Sequence, residues 1–295
     1  MNNLELNRDT LPGLYQSADE ASIRHQAAHF RGLLWYSLLL VVAAAIPFIS
    51  SNSRIGAVIS LVLFVTTLII LTYQRTSQPS AIWYNGRAVA ESVKTRAWRW
   101  SMKAAPYQDD DVDPDRAFRD FVDDLKAILH QNQRLSEYFR SETGIKTAVS
   151  ETMQKIRALP FSERLKIYQA QRIDNQAKWY AYKADLNRRQ GKRLFIISCV
   201  LHLSAIALLT YRIFQPAANL PTEAIATAAG AILTWLEAKK HNELNASYSL
   251  AAHEIGLIKD EAQLVKTDED LAALVLNSET AFSREHTQWV ARKTD

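Results

Sequence analysis

The residues best placed to do chemistry lie in the stretch RAVAESVKTRAWRW, Arg87 to Trp100. Arg87, Glu91, Lys94 and Trp98 recur at helical spacings, so they form one stripe of a helix, with Arg99 beside it. Glu91 lies one turn from both Arg87 and Lys94 and can pair with either, at roughly 0.2–0.5 kcal/mol per pair. Arg87 to Lys103 holds five basic residues and one acid. Such a stripe suits an anionic ligand, a partner or a lipid headgroup. The plainer role is a solvated face that only sets topology.

Other candidates are weaker. His25 and His29 stand four apart, a spacing that can place two metal ligands on one helix face, but no third ligand accompanies them. Asp109, Asp111 and Asp113 open like a calcium loop. Pro114 then stands where that loop needs Gly, and Asp120 where it needs Glu. A helix start explains them better, with Asp113 as cap and Pro114 as first helical residue. Ser17 and Glu20 have the spacing of a capping box. No Walker loop, nucleophile elbow or dinucleotide fingerprint occurs, so no enzyme activity, no metal and no cofactor is expected.

These residues must be positioned by helices. Gly and Pro number eight each among 295 residues, and no alternating Val/Ile/Thr runs appear, which predicts an all-α protein. Residues 32–49, 55–73 and 194–211 are uncharged and about long enough to cross a bilayer. Residues 220–236 make a weaker fourth span, Ala-rich and carrying Glu223. The short connections at 50–54 and 212–219 hold one arginine each, whereas Arg24, Arg31, Arg75 to Lys103, Lys183 to Arg193, Lys239 and Lys240 flank the opposite ends. The positive-inside rule then places both termini and the long middle segment in the cytoplasm. The net charge of +4 is explained by these flanks, so nucleic acid is not expected as a partner.

Within the spans, His202 with Ser198 one turn earlier is a polar pair, functional by default at such depth. Gly56 with Ser60, and Ala226 with Gly230, have small-xxx-small spacing suited to close helix packing or to a pore wall. Both halves share one plan: polar helix, hairpin of spans, exit helix. This parallel repeat divides the chain into units 1–145 and 146–295. In the first exit helix Trp83, Gly86, Ala90, Val93, Ala97, Trp100, Ala104 and Tyr107 alternate spacings of 3 and 4. In the second, Leu244, Tyr248, Ala251, Ile255, Ile258, Ala262 and Val265 do the same. Each reads as a coiled-coil seam. Pro79 is the one kink signal at the first exit; the second exit has no Gly or Pro, which predicts an unbroken helix there.

WYNGRAVAESVKTRAWRWSMKAAPY, residues 83–107, resembles the helix after the spans of SLATT domains, the two-span effector domains of bacterial nucleotide-signalling conflict systems. YQAQRIDNQAKWYAYKADLNRRQGKRLFIIS (168–198), WLEAKKHNELNASYSLAAHEIGLI (235–258) and SETAFSREHTQWVARK (278–293), with its Glu285 and Trp289, resemble a second SLATT subtype. The resemblance implies two units in tandem and a multi-pass protein of a bacterial inner membrane. It implies an antiphage effector that forms a pore, or disrupts the membrane, as a homo-oligomer in the lipid bilayer. The trigger would be a signalling partner protein or a nucleotide second messenger. A non-conducting scaffold that recruits a cytoplasmic partner through the coiled-coil helices is the alternative.

Overall fold

Pro12 starts the first helix a turn before the Ser17 signal. Helix α1 runs Gly13–Ile49, so Ser17 is inside it and its hydroxyl donates back to the Gly13 carbonyl at 3.0 Å. The computed structural model describes residues 4–50, 53–139, 142 and 145–291, with side chains as far as residue 283. After α1 come α2 (Arg54–Ser77), α3 (Pro79–Ser101), α4 (Arg116–Gln131), the single turn α5 (Gln133–Ser136), α6 (Glu151–Arg157) and α7 (Phe161–Tyr168). A π-helical turn, Gln169–Ile173, leads into α8 (Asp174–Phe214), after which come α9 (Thr222–Lys239), α10 (His241–Glu261) and α11 (Asp268–Ala291). Among the described residues there is no strand. The protein is all-α.

Three helical runs, Gly13–Ile49, Arg54–Ser101 and Phe161–Phe214, are long and apolar enough to cross a membrane. The expected fourth span falls in α9, where Glu223, Glu237 and Lys239 dilute the apolar run.

The backbone breaks twice where a span gives way to its exit helix. Gln78, between α2 and α3, has φ 42°, and Lys240, between α9 and α10, has φ 50°. Both are left-handed, a conformation that non-glycine residues seldom adopt. Pro79 signals the first break. The second contradicts the unbroken helix expected from the lack of Gly and Pro. Its cause is tertiary: the next residue, His241, is buried against α8, with Nδ1 2.8 Å from Asn187 Oδ1. Gly191 makes room, since a Cβ there would lie 3.2 Å from the His241 Cβ.

Two compact units emerge, and each draws on both halves of the chain. The first comprises residues 1–25, 80–182 and 247–295; the second, 26–79 and 183–246. The first unit has an aromatic-rich core built on Trp98, Tyr107, Phe121, Tyr168, Met153, Ile156 and Leu271. All eight residues of the first seam are buried, and so are Ala251, Ile255, Ile258 and Ala262 of the second. Small seam residues allow close approach. A Cβ on Gly86 would meet the Ala18 carbonyl at 2.9 Å, so α3 crosses α1 backbone to backbone there. Helix α4 buries Ala117, Phe121, Leu125 and Ile128, one face at spacings of 4, 4 and 3. Distant arginines cap the end of α3: Arg157 donates to the Trp100 carbonyl, and Arg164 Nη1 donates at 2.8 Å to the carbonyl of Met102, the residue after the helix.

The second unit is a set of apolar helices. At one end the Asn219 amide donates to the Phe48 carbonyl at 2.9 Å. At the other, Phe30 packs on Trp235 at 5.8 Å, and Lys239 Nζ lies 3.3 Å from the Phe30 ring centre. Helix α9 therefore runs antiparallel beside the apolar part of α1. Phe30 to Phe48 is about 27 Å of helix, close to the roughly 30 Å of a hydrocarbon core. Gly32 and Gly56 are packed positions: a Cβ would strike the Gln74 side chain at 2.4 Å and the Ser50 hydroxyl at 2.2 Å.

Candidate functional site

The first unit contains a buried ionic cluster assembled from α1, α3, α7, the π turn and α11. At its centre are Arg172 and Glu279, 1% and 0% exposed. Arg172 Nε donates to Glu279 Oε1 at 2.8 Å and Nη2 to Oε2 at 2.7 Å, a bidentate pair. The Tyr168 hydroxyl donates to Oε1 and the Thr95 hydroxyl to Oε2, each at 3.0 Å. The carboxylate thus accepts four hydrogen bonds, which is what an ion removed from water requires. Arg172 also lies 4.8 Å from the Phe282 ring centre. Its Nη1 has no hydrogen-bond partner among the described residues.

Local structure puts these groups together. Tyr168 ends α7, and the π turn inserts an extra residue that buries both Arg172 and Ile173; π turns of this kind are frequent at functional sites. Gln171 in the same turn holds the N-terminal segment, accepting from the Leu6 N–H at 2.9 Å and donating to the Leu4 carbonyl at 2.6 Å. On α11, Glu279 interrupts the apolar face of Leu271, Val275 and Phe282.

The stripe predicted on α3 runs along this cluster. Arg87 Nη2 is 2.9 Å from Glu91 Oε1, and Arg87 Nη1 is 4.0 Å from Asp19 Oδ1 on α1. Arg8 reaches the other oxygen of Asp19 at 3.4 Å. Tyr15 lies beside these acids; burial first, then the charge of Asp19, pushes its hydroxyl up to about 12. Burial lowers the Lys94 ammonium from the usual lysine range; Glu91 opposes that, while Arg172 and Arg87 add to it. Burial alone would lower Arg172, yet the Glu279 charge outweighs it and holds the guanidinium protonated. Tyr168 is pushed well up, by burial and then by Glu279. Trp98 is 1% exposed, edge-on to Tyr168 at 5.5 Å, so it belongs to the core rather than to an open face. Arg99 Nη2 donates to Thr280 Oγ1 at 2.9 Å. Four of the five stripe residues are charged and half-buried, and two of them, Arg87 and Arg99, reach other helices.

The remaining candidates are dispersed. His25 Nδ1 is 2.8 Å from its own helix carbonyl at Ala21, and the ring meets Tyr138 edge-on. His29 packs on Phe30. Among the described residues no group of His, Cys, Asp and Glu could hold a metal. The acidic loop is spent on ion pairs: Asp109 with Lys103 and Arg157, Asp110 with Arg116, and Asp113 with Arg119. Helix α4 starts at Arg116, so Asp113 does not cap it. In the second unit, Ser198 is buried, and His202 Nδ1 lies 2.7 Å from its carbonyl. Gly56 is buried at the hairpin turn, Ser60 is half-buried, and Ala226 and Gly230 are exposed. The side chains of Glu285 and Trp289 lie outside the described residues.

Fold and site define an all-helical membrane protein in which long apolar helices share a chain with a helical body that has an ionic core. Within that class two family models match in tandem: SMODS and SLOG-associating 2TM effector domain 3 over residues 12–165, and SMODS and SLOG-associating 2TM effector domain 1 over residues 168–289. The chain belongs to the SLATT family and is a membrane-associated effector of the conflict-system type. Comparisons with curated proteins and with solved structures gave no match. The hydrogen bond from Thr95 to Glu279 joins the two matches, since Thr95 falls in the first and Glu279, with Arg172, in the second.

Proposed function

We propose that the chain perforates or disrupts a bacterial inner membrane when a cytoplasmic signal reaches the ionic cluster. In this reading it is a homo-oligomer without catalytic activity, cofactor or nucleic acid, and the signal is a partner protein or a nucleotide second messenger. Four helices cross the bilayer, and both termini are cytoplasmic. The fourth crossing is supported by the alignment of α9 with the apolar length of α1. The observation that carries the reading is continuity. Helices α1, of 37 residues, and α8, of 41, each begin in the first unit and end in the second without a break. In this reading a displacement of α1 at Asp19 passes along the continuous helix toward its apolar part.

The test is ion flux from proteoliposomes holding the full chain, paired with membrane depolarisation in cells after induction. Flux above empty liposomes is expected, and Glu91→Gln is expected to change it at least fivefold with insertion and oligomer size unaltered. A fully inserted parent protein that neither leaks nor depolarises would refute the reading.

The scaffold alternative has one observation in its favour. Leu250, Leu257 and Leu264 stand at heptad spacing and are 63%, 66% and 73% exposed, with Glu254 and Asp260 nearby. Such a strip suits a partner helix with basic flanks.

A further inference from the structure

Helix α9 differs from the other apolar helices in what it turns outward. Helix α2 exposes Ile55, Val58, Leu61, Phe64 and Leu68, and the apolar part of α8 exposes Phe195, Val200, Leu203 and Ile206. These are side chains that lipid accepts. On α9 the bulky residues Ile225, Ile232 and Leu236 are half-buried and Ala229 is buried, and Leu233 is its one exposed large hydrophobic residue. Its exposed residues are Glu223, Ala226, Gly230, Leu233, Thr234 and Glu237, with Thr227 half-buried at the edge of the same face. A Cβ on Gly230 would meet nothing within 4 Å, unlike Gly32 and Gly56, whose absent side chains are explained inside the chain.

Lipid is a poor neighbour for this face. The threonine hydroxyls donate back to the Glu223 and Gly230 carbonyls at 2.7 and 3.0 Å and are satisfied. The two carboxylates are the difficulty. Fourteen residues separate them, about 21 Å of helix, against roughly 30 Å of hydrocarbon. Both cannot lie outside the core if α9 crosses it, and an acid facing lipid at that depth is costly. Arg212, 3.3 Å from Glu223, offsets one of the two.

We propose that the outer face of α9 is where copies of this chain meet in the membrane, around an axis that holds water. The inference rests on the reading above that α9 crosses the bilayer. A second copy fits better than a different partner, because a closed ring of identical faces removes every carboxylate from lipid at once. Like charges then meet across the axis, so water and cations must lie between them. Gly230, at mid-helix, is the point of nearest approach.

Disulfide cross-linking in native membranes tests the contact directly. Cys199 is the chain's only cysteine, so single cysteines are placed in Cys199→Ser. Gly230→Cys and Thr234→Cys should form linked dimers at least tenfold faster than the outward controls Val62→Cys and Leu203→Cys. Equal or faster linking at the controls overturns the proposal. Gly230→Trp should reduce the oligomer to monomer by light scattering in mild detergent, with insertion retained; an unchanged oligomer also overturns it. Cross-linking does not depend on flux. Linked α9 faces without flux from the parent protein would therefore refute the perforation reading and still support this contact.

Discussion

Arg172 and Glu279 illustrate how a single buried charge pair ties together helices far apart in sequence. Each guanidinium–carboxylate hydrogen bond must offset the loss of water around two ions. The bidentate geometry, the two hydroxyl donors and the Phe282 ring together do so. Removing one charge leaves the other stranded. Glu279→Gln should therefore destabilise the protein by about 3–5 kcal/mol, a fall in apparent melting temperature on the order of 10 °C. Tyr168→Phe, which removes one donor, should cost only about 1 kcal/mol. The informative variant is the double change Arg172→Met, Glu279→Leu, which empties the site of charge without emptying its volume. It should recover most of the loss in thermal unfolding but change flux. Recovery of stability together with parental flux would make the pair a structural fastener only.

At the scale of elements, the left-handed breaks at Gln78 and Lys240 set where each exit helix points. A left-handed L residue costs roughly 1–2 kcal/mol; at Lys240 the buried His241 that follows holds the break, and at Gln78 the chain meets Pro79, which has no N–H to continue the α2 ladder. Lys240→Gly should be neutral or stabilising in thermal unfolding, whereas Lys240→Val should destabilise by more than about 1 kcal/mol. Equal effects would mean that the conformation at 240 is not maintained. This break also marks where sequence reading fails. The seams from Trp83 to Tyr107 and from Ala251 to Ala262 were legible because burial on a helix imposes a 3,4 rhythm that needs no knowledge of the partner. The break at Lys240 left no such trace, since its cause is Asn187, more than fifty residues away. Arg172 and Glu279 escaped for the same reason. The one local sign is at Glu279, a charge within the apolar helix face of Leu271, Val275 and Phe282.

For the whole molecule, the two family units are not two separate bodies. Each compact unit takes helices from both, so the first repeat lacks a complete core without the second: Tyr168, Ile255 and Leu271 fill the same interior as Trp98 and Phe121. The proposed topology has both hairpins enter the bilayer from one side. The donation from Asn219 to Phe48 places the two hairpin ends together, and the proposed topology puts them outside the cell. The expectation can be checked with a membrane-impermeant thiol reagent on intact cells, using single cysteines in Cys199→Ser. Ser53→Cys and Gln215→Cys should label at once. Ser162→Cys, exposed on α7, should label only after the membrane is opened; Ser278 would be a poor reporter, because it is 0% exposed. Labelling of Ser162→Cys from outside would invert the topology. Labelling of Ser53→Cys without Gln215→Cys would mean that α8 does not carry the chain across, and the four-span topology, with the α9 contact that rests on it, would fall.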